Sequence, residues 1–570
     1  MKHFVNLIKP LTVIFMVSSC SFFNRQDDTF KQLSEQFITD YLHWSPQDAI
    51  ALGYHEYDAQ LPDFSKGSVT KQIGQLKDYA DKFGKIDTTK LSENNLIDYY
   101  VLQSQIKKSL FELEELKATE RPLSYLSAVD ITSYVKRDYA PANQRLKAII
   151  KVQQQIPALL AIAKQNLSNV NFKEEVLLAI DAFKSNADYM EKDVPKAFEK
   201  VYQKGLQDSL KVSTQIATKA LRDFSDFLKT TTLPNAKGSF AIGRANYIKM
   251  LQYNEMLDTT PEAILAIGLA KLKEEQVEFA KAAKIIDPRK STLEVFKSIQ
   301  KEHPTADSLI AFTKNKCEDI RQFLIDKHII SLPSEIRAKV VTTPAFMVGA
   351  TAAMDTPGPF EKPEASEAYY YVTPPSKSWT PKQQEEWLTL FNKYSTEIIS
   401  IHEAYPGHYV QFLHLNHSKV SVPLKLFSSY AFVEGWAHYT EQMMLEEGYR
   451  QGDKITQAKY KMAQLSESLL RLCRLVVSIK EHTAGWSVQD GTKFLMENCY
   501  YEEKPAYEEA LRGTYDPGYL SYSLGKLQIL ALRDELKKKQ GSQFSLQKFH
   551  DDITDNGMPP IQLLRRILVK

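Results

Sequence analysis

The chain has 570 residues, 43% hydrophobic and 25% charged, with a formal charge of +2. This is ordinary globular composition with ample apolar material for a core, and the length allows more than one domain. The near-zero balance and scattered basic residues exclude a polyanionic partner such as nucleic acid.

Residues 1–19 read as a targeting segment. Lys2 opens it, Leu11-Thr12-Val13-Ile14-Phe15-Met16-Val17 is a short apolar run, and Ser18-Ser19-Cys20 follows. The run is too short for a stable membrane span, and small residues stand at the expected cut. Val17-Ser18-Ser19-Cys20 resembles a bacterial lipobox, which implies an exported lipoprotein anchored to a membrane only through lipid on Cys20. Plain secretion is the alternative. The remaining cysteines, Cys317, Cys473 and Cys499, are too few for a disulfide framework. Cys473, in the apolar helical stretch Leu469-Leu470-Arg471-Leu472-Cys473, reads as a small buried hydrophobe.

Residues 20–30 read as a tether containing Asn24-Arg25-Gln26-Asp27-Asp28, and 31–232 as an N-terminal helical region. Apolar sets such as Leu146, Ile149, Ile150, Val152 and Ile156 carry its helical period. His43, His55 and Glu56 lack a second histidine at metal spacing and read as packing or surface. Thr230 to Gly238, with Pro234, is the best linker, so a second region is set at 239–570. Thr260-Pro261-Glu262 predicts a helix start, with Thr as cap and Pro in the first position. Residues 339–375 are rich in β-branched and aromatic side chains, notably Val340-Val341-Thr342 and Tyr369-Tyr370-Tyr371-Val372. They predict a small antiparallel sheet, turned by Thr356-Pro357-Gly358-Pro359, in a mainly α fold.

Thr380-Pro381-Lys382-Gln383 starts another helix. Its apolar stripe, Trp387, Phe391, Tyr394 and Ile398, extends to His402. Glu403 follows directly, and His408 closes His402-Glu403-Ala404-Tyr405-Pro406-Gly407-His408. In H-E-x-x-H the two histidines lie about 40° apart around a helix, whereas six residues of regular helix separate them by roughly 120°. Pro406-Gly407 predicts a break between Tyr405 and Gly407 that swings His408 back toward His402. A catalytic zinc needs three protein ligands and one open position. Glu434, His438 and Glu441 share one face of the next helix. Glu434 is the expected third ligand, with His438 and Glu441 orienting the ligands from behind. The alternative for this trio is an exposed, salt-bridged face. His414 and His417 read as solvent-facing spares.

The seven-residue motif, with Glu434-Gly435-Trp436-Ala437-His438-Tyr439 downstream, resembles the bacterial family called domain of unknown function 885. Arg474-Leu475-Val476-Val477, His482 with Gly485-Trp486-Ser487, and Ser521-Tyr522-Ser523-Leu524-Gly525 also fit its pattern. The resemblance implies a large multi-helix, gluzincin-like body around a cleft. It further implies one zinc ion and hydrolysis of short peptides. Two departures stand out: Ser478 where an acid is expected, and a Pro517-Gly518-Tyr519 stretch one residue shorter than usual.

The expected chemistry is metal-assisted hydrolysis, with His402, His408 and Glu434 as ligands and Glu403 as general base, then general acid. Tyr522, or alternatively His482, is the expected donor to the developing oxyanion. Arg474 or Lys526 is expected to bind a substrate carboxylate, which favours carboxypeptidase or dipeptidase action. The Tyr-rich strand at 369–371 is expected to pair with a peptide backbone. Two rival readings are a metal-dependent esterase or amidase, and a non-catalytic metal-binding surface lipoprotein. There is no G-x-S-x-G elbow and no phosphate loop, which ranks serine hydrolases and nucleotide-dependent enzymes lower.

Overall fold

The computed structural model describes residues 17–167, 171–344, 351–363 and 366–569, with side chains from residue 26. Most of the expected signal peptide and the Cys20 side chain therefore lie outside the described residues. The stretch 20–30, expected as a tether, lies inside α1 (Val17–Trp44). Its last turns are held, because Phe30 is buried and Asp27 accepts hydrogen bonds from the backbone and hydroxyl of Ser92.

Ser92 leads into α2 (Glu93–Glu114). Helices Ala142–Asn166, Lys173–Ala197 and Lys204–Phe227 then pack on one another through the expected apolar faces. The core here runs from Phe30 to Leu228, joined by Leu424, Leu426, Phe427 and Leu563 from much later in the chain. The stretch expected as an open linker stays coiled, as a wide turn at Leu228–Thr232 followed by Leu233–Asn235. Thr230 and Asn235 each donate to a carbonyl four residues back, which satisfies the coil locally.

α3 (Arg244–Glu255) and α4 (Pro261–Ile286) follow, and Thr260 caps α4 by accepting from the Ala263 N–H. The three strands are β1 (Lys339–Thr342), β2 (Ala352–Asp355) and β3 (Tyr369–Val372), in the order β1-β3-β2. The sheet is mixed rather than antiparallel: β1 runs parallel to β3, and only β2 is antiparallel to it. The chain between β1 and β3 is long enough for the crossover a parallel pair needs, and β2 forms within it. β3, the Tyr-rich strand, is central. Both its edges are taken, which removes it as a strand that could add a peptide.

The helix starting after Thr380 ends at Leu390. Asn392 restarts the chain as α5 (Lys393–Glu403), its side chain accepting from the Tyr394 and Ser395 N–H groups. One apolar stripe thus spans two helices. α6 (His408–His417), α7 (Tyr430–Glu446), α8 (Lys454–Thr483) and α9 (Ser521–Gln540) complete the frame of the site. α8 is buried on nearly every face and packs along α4. Such a helix belongs to the middle of a large core, and the second core, from Leu272 to Leu564, surrounds it. Among the described residues no helix is long and apolar enough to cross a membrane.

Candidate metal centre

His402 ends the buried face of α5, and Glu403 is its last residue. Tyr405-Pro406 is a cis peptide, and α6 begins at His408. Gly407 makes this bend sterically possible. Its N–H bonds to Ile401 O at 3.0 Å, and a β-carbon there would sit 1.7 Å from His402 O. Trp436 on α7 grips the bend by donating from Nε1 to Pro406 O at 2.9 Å. The expected break therefore lies where Pro406-Gly407 places it, and the helix carrying Glu434 holds it.

The three expected ligands converge. His402, His408 and Glu434 each offer one ligand atom, all within 4.8 Å of one another. Nε2 of His402 and Nε2 of His408 each lie 3.5 Å from Glu434 Oε2. Tetrahedral zinc with bonds near 2.1 Å needs donor atoms about 3.4 Å apart, so these side chains fit the ion. Among the described residues Glu434 Oε2 is buried without a hydrogen-bond partner, as a metal-ligating oxygen requires and an ordinary buried carboxylate does not tolerate. His408 Nδ1 is likewise buried and unpartnered.

Behind the ligands lies a chain of polar contacts. Glu441, fully buried, takes His402 Nδ1 at 2.7 Å and His438 Nδ1 at 3.1 Å. An acceptor at Nδ1 fixes the His402 tautomer and leaves the Nε2 lone pair facing Glu434. Burial disfavours a charge on His402, but the Glu434 and Glu441 carboxylates beside it outweigh that and raise its pKa to about 9. Burial likewise opposes the Glu434 charge, yet His408 and His402 hold its carboxyl well below the usual range. A cation takes the place of the shared proton in such a cluster. His438 is pushed down to about 3 by burial and by Lys526. Its Nε2 accepts from Ser468 Oγ at 3.4 Å, and Lys526 donates to the same hydroxyl at 3.0 Å. His438 and Glu441 thus lie one step behind His402.

Tyr522 reaches the centre because α7 and α9 nearly touch. A β-carbon on Gly435 would lie 2.5 Å from Gly525 Cα, and one on Gly525 would lie 1.7 Å from Ala431 O. That contact lays the Tyr522 ring parallel to His402 at 6.5 Å, with Tyr430 edge-on at 5.9 Å. Arg471, Arg474 and Arg512 stand over the same ring at 5.7, 5.1 and 5.8 Å. Glu403 makes no hydrogen bond or ion pair among the described residues, and its charge adds to the burial that pushes the buried Tyr370 phenol up. This puts β3 close to the centre.

Three expectations are corrected. His482 is not an oxyanion donor: its Nε2 meets Gly513 O at 2.8 Å and its Nδ1 accepts from the Ile242 N–H at 3.3 Å. Burial among Phe240 and Tyr247 lowers it to about 4. Arg474 and Lys526 are not free for a substrate carboxylate. Arg474 is held by both oxygens of Glu509 at 2.7 Å, and Lys526 by Ser468, with Glu275 3.6 Å away. His414 is buried, paired with Asp555 at 2.7 Å and Ser331 O at 3.0 Å, whereas His417 is exposed.

Sequence reasoning missed Arg471 and Arg512. Arg471 lies 3.5 Å from Glu441 and pairs with Glu467; Arg512 bonds Asp516, Tyr430 and Tyr522. A charge inside the run Leu469-Leu470-Arg471-Leu472 was the available signal, since such a charge must find a partner. The two departures from the family pattern meet in space: Ser478 Oγ donates to Pro517 O at 2.7 Å and also lies 2.7 Å from the Tyr247 hydroxyl. A small hydroxyl fits beneath that turn.

No curated protein matches the chain. A candidate lipoprotein of unknown function from Shewanella oneidensis has a similar solved structure, with a TM-score of 0.79 and 24% identity over 95% of this chain and 100% of that one. A candidate lipoprotein from Colwellia psychrerythraea follows at 0.74 and 17%, covering 97% and 99%. At these identities the likeness is one of fold. The model of the bacterial proteins of unknown function called DUF885 matches residues 46–568, and the chain belongs to that family.

Proposed function

We propose that the protein is a zinc-dependent peptidase acting on short peptides. The convergence of His402, His408 and the unpartnered Glu434 Oε2 at 3.5 Å separations carries this reading. A zinc ion held there supplies Lewis-acid activation of water and of a carbonyl. Glu403, next to His402 and without a hydrogen bond or ion pair among the described residues, accepts the proton of the attacking water and delivers it to the departing amine. Tyr522 donates a hydrogen bond to the developing oxyanion, and burial keeps its phenol protonated by raising its pKa. Glu441 keeps His402 in the ligating tautomer.

Elemental analysis combined with a peptide-library digest tests the reading. One zinc per chain is expected in the wild type and none in His402→Ala or His408→Ala. Zinc retained in both variants overturns the ligand set. A parallel panel of esters and aryl amides separates a peptidase from another hydrolase on the same site.

The proposal includes a lipid anchor at Cys20. Val17-Ser18-Ser19-Cys20 and the descriptions of the two similar structures as candidate lipoproteins support it. Mass spectrometry of detergent-extracted protein is expected to find an acylated Cys20 at the mature N-terminus. An unmodified N-terminus overturns that part.

A further inference from the structure

Three guanidinium groups stand over the Tyr522 ring, and one of them reaches its hydroxyl. Arg474 is committed to Glu509 through two bonds of 2.7 Å, and Arg471 to Glu467, with Glu441 3.5 Å away. Among the described residues neither donates to the Tyr522 oxygen. Arg512 does, from Nη2 at 3.5 Å.

Arg512 is itself held in a frame built from two distant stretches of chain. It lies in the last turn of the helix Glu503–Tyr515, which Asp516 caps. The Asp516 carboxylate accepts from Arg512 Nε at 3.2 Å and from Nη2 at 3.0 Å. Tyr430, the first residue of α7, closes the frame: its hydroxyl accepts from Arg512 Nη2 at 3.1 Å and donates to Asp516 at 3.3 Å. Its ring lies edge-on to Tyr522 at 5.9 Å. Nη2 thus serves three oxygens, and the Tyr522 bond is the longest. Catalytic hydrogen bonds are commonly long in the free enzyme and tighten once substrate is bound.

A phenol oxygen that accepts on one side turns its own proton to the other. Among the described residues no acceptor takes the Tyr522 proton, although the ring lies parallel to His402 at 6.5 Å. We propose that Arg512 is a positioning residue for Tyr522: by donating to the phenol oxygen it fixes the hydroxyl and leaves the phenolic proton for an oxyanion formed on the substrate. The proposal rests on the peptidase reading, in which Tyr522 is the donor, and adds the group that aims it.

Two measurements on the full-length protein test this. The first needs neither zinc nor turnover. Carbon-13 at tyrosine Cζ gives resonances that report hydrogen bonding at each hydroxyl, and Tyr522→Phe identifies the one from Tyr522. Arg512→Ala is expected to shift it, and added ethylguanidinium to bring it back, since the Arg512 side chain is 29% exposed and its place can be reached from solvent. The second is cleavage of a random hexapeptide library by the zinc-loaded protein, read as new amino groups. Arg512→Ala is expected to lower the rate about 10- to 100-fold, the range of a hydrogen bond to a charged group. Ethylguanidinium is expected to restore much of it, which a merely structural loss does not allow. In the Tyr522→Phe background, Arg512→Ala is expected to cost no more than about twofold further. Circular dichroism checks that each variant is folded. An unmoved resonance, or an Arg512→Ala loss that persists in full in the Tyr522→Phe background, overturns the positioning even where the wild type cleaves the library. A Tyr522→Phe variant as fast as the wild type overturns the donor, and the positioning with it, but leaves the zinc peptidase standing. No cleavage by the wild type overturns the peptidase reading, while a shifted resonance keeps the Arg512–Tyr522 bond.

Discussion

At the scale of single residues, the proposed mechanism divides labour between groups that touch the reacting atoms and groups that hold them. Glu403 is of the first kind. Glu403→Gln keeps the size of the side chain and removes the base, so zinc is expected to stay while turnover falls about 10²- to 10⁴-fold. Single-turnover assays on the metal-loaded variant check this. Glu441 is of the second kind. Its carboxylate orients His402 and neutralises Arg471, so Glu441→Gln is expected to weaken zinc affinity about 10- to 100-fold. Competition with a fluorescent chelator reads the change, and unaltered affinity refutes the role. The convergence of His402, His408 and Glu434 was legible because their spacing makes chemical sense only if Pro406-Gly407 breaks the helix. The roles expected of Arg474, Lys526 and His482 were not. A sequence shows which residues carry a charge or an imidazole, but not which of them are already bonded to Glu509, Ser468 or Gly513.

At the scale of elements, the site depends on two close approaches of backbone. The α6 bend folds onto α5 through Gly407, and α9 lies on α7 through Gly525 and Gly435. A methyl at Gly525 meets the Ala431 carbonyl, backbone that cannot swing aside. Gly525→Ala is therefore expected to cost about 2–3 kcal/mol or more by overpacking. It should also lower zinc affinity, because α7 carries Glu434. Thermal unfolding and metal titration together test the coupling; a stability loss with intact zinc affinity separates packing from the site. Helix starts at Thr260 and Thr380 were legible from local chemistry, since capping is decided within four residues. The sheet was legible as strand-forming sequence but not as a pairing. β-propensity says nothing about which strand lies in the middle, and β2 carries only the weak signal Ala352-Ala353-Met354-Asp355.

At the scale of the whole molecule, a third, smaller apolar cluster lies along α8 and α3, with Phe111, Tyr247, Leu475 and Leu520 in it. On the far side of α8, Glu481 is buried with both oxygens unpaired, and burial, with help from Glu174, pushes its pKa up to about 9. The folded state therefore holds a proton there that the unfolded chain releases near pH 4.3. Its stabilising effect is full below that pH and is lost as pH rises through about 9. Glu481→Gln is expected to flatten the fall of melting temperature between these limits and to raise it at pH 8. An unchanged slope shows that the carboxyl finds a partner.

By itself, the sequence determined the mainly α class, the motif that breaks its own helix, and the acid on a later helix that meets its two histidines. These follow from local rules: helical period, capping, and the steric demands of proline and glycine. Only the tertiary structure decided that Tyr522 lies parallel to His402, that β3 is a central strand, and that Arg512 bonds Tyr430 and Tyr522. Those depend on contacts between residues far apart in the chain, where packing density and the pairing of buried charges are settled by all the helices together.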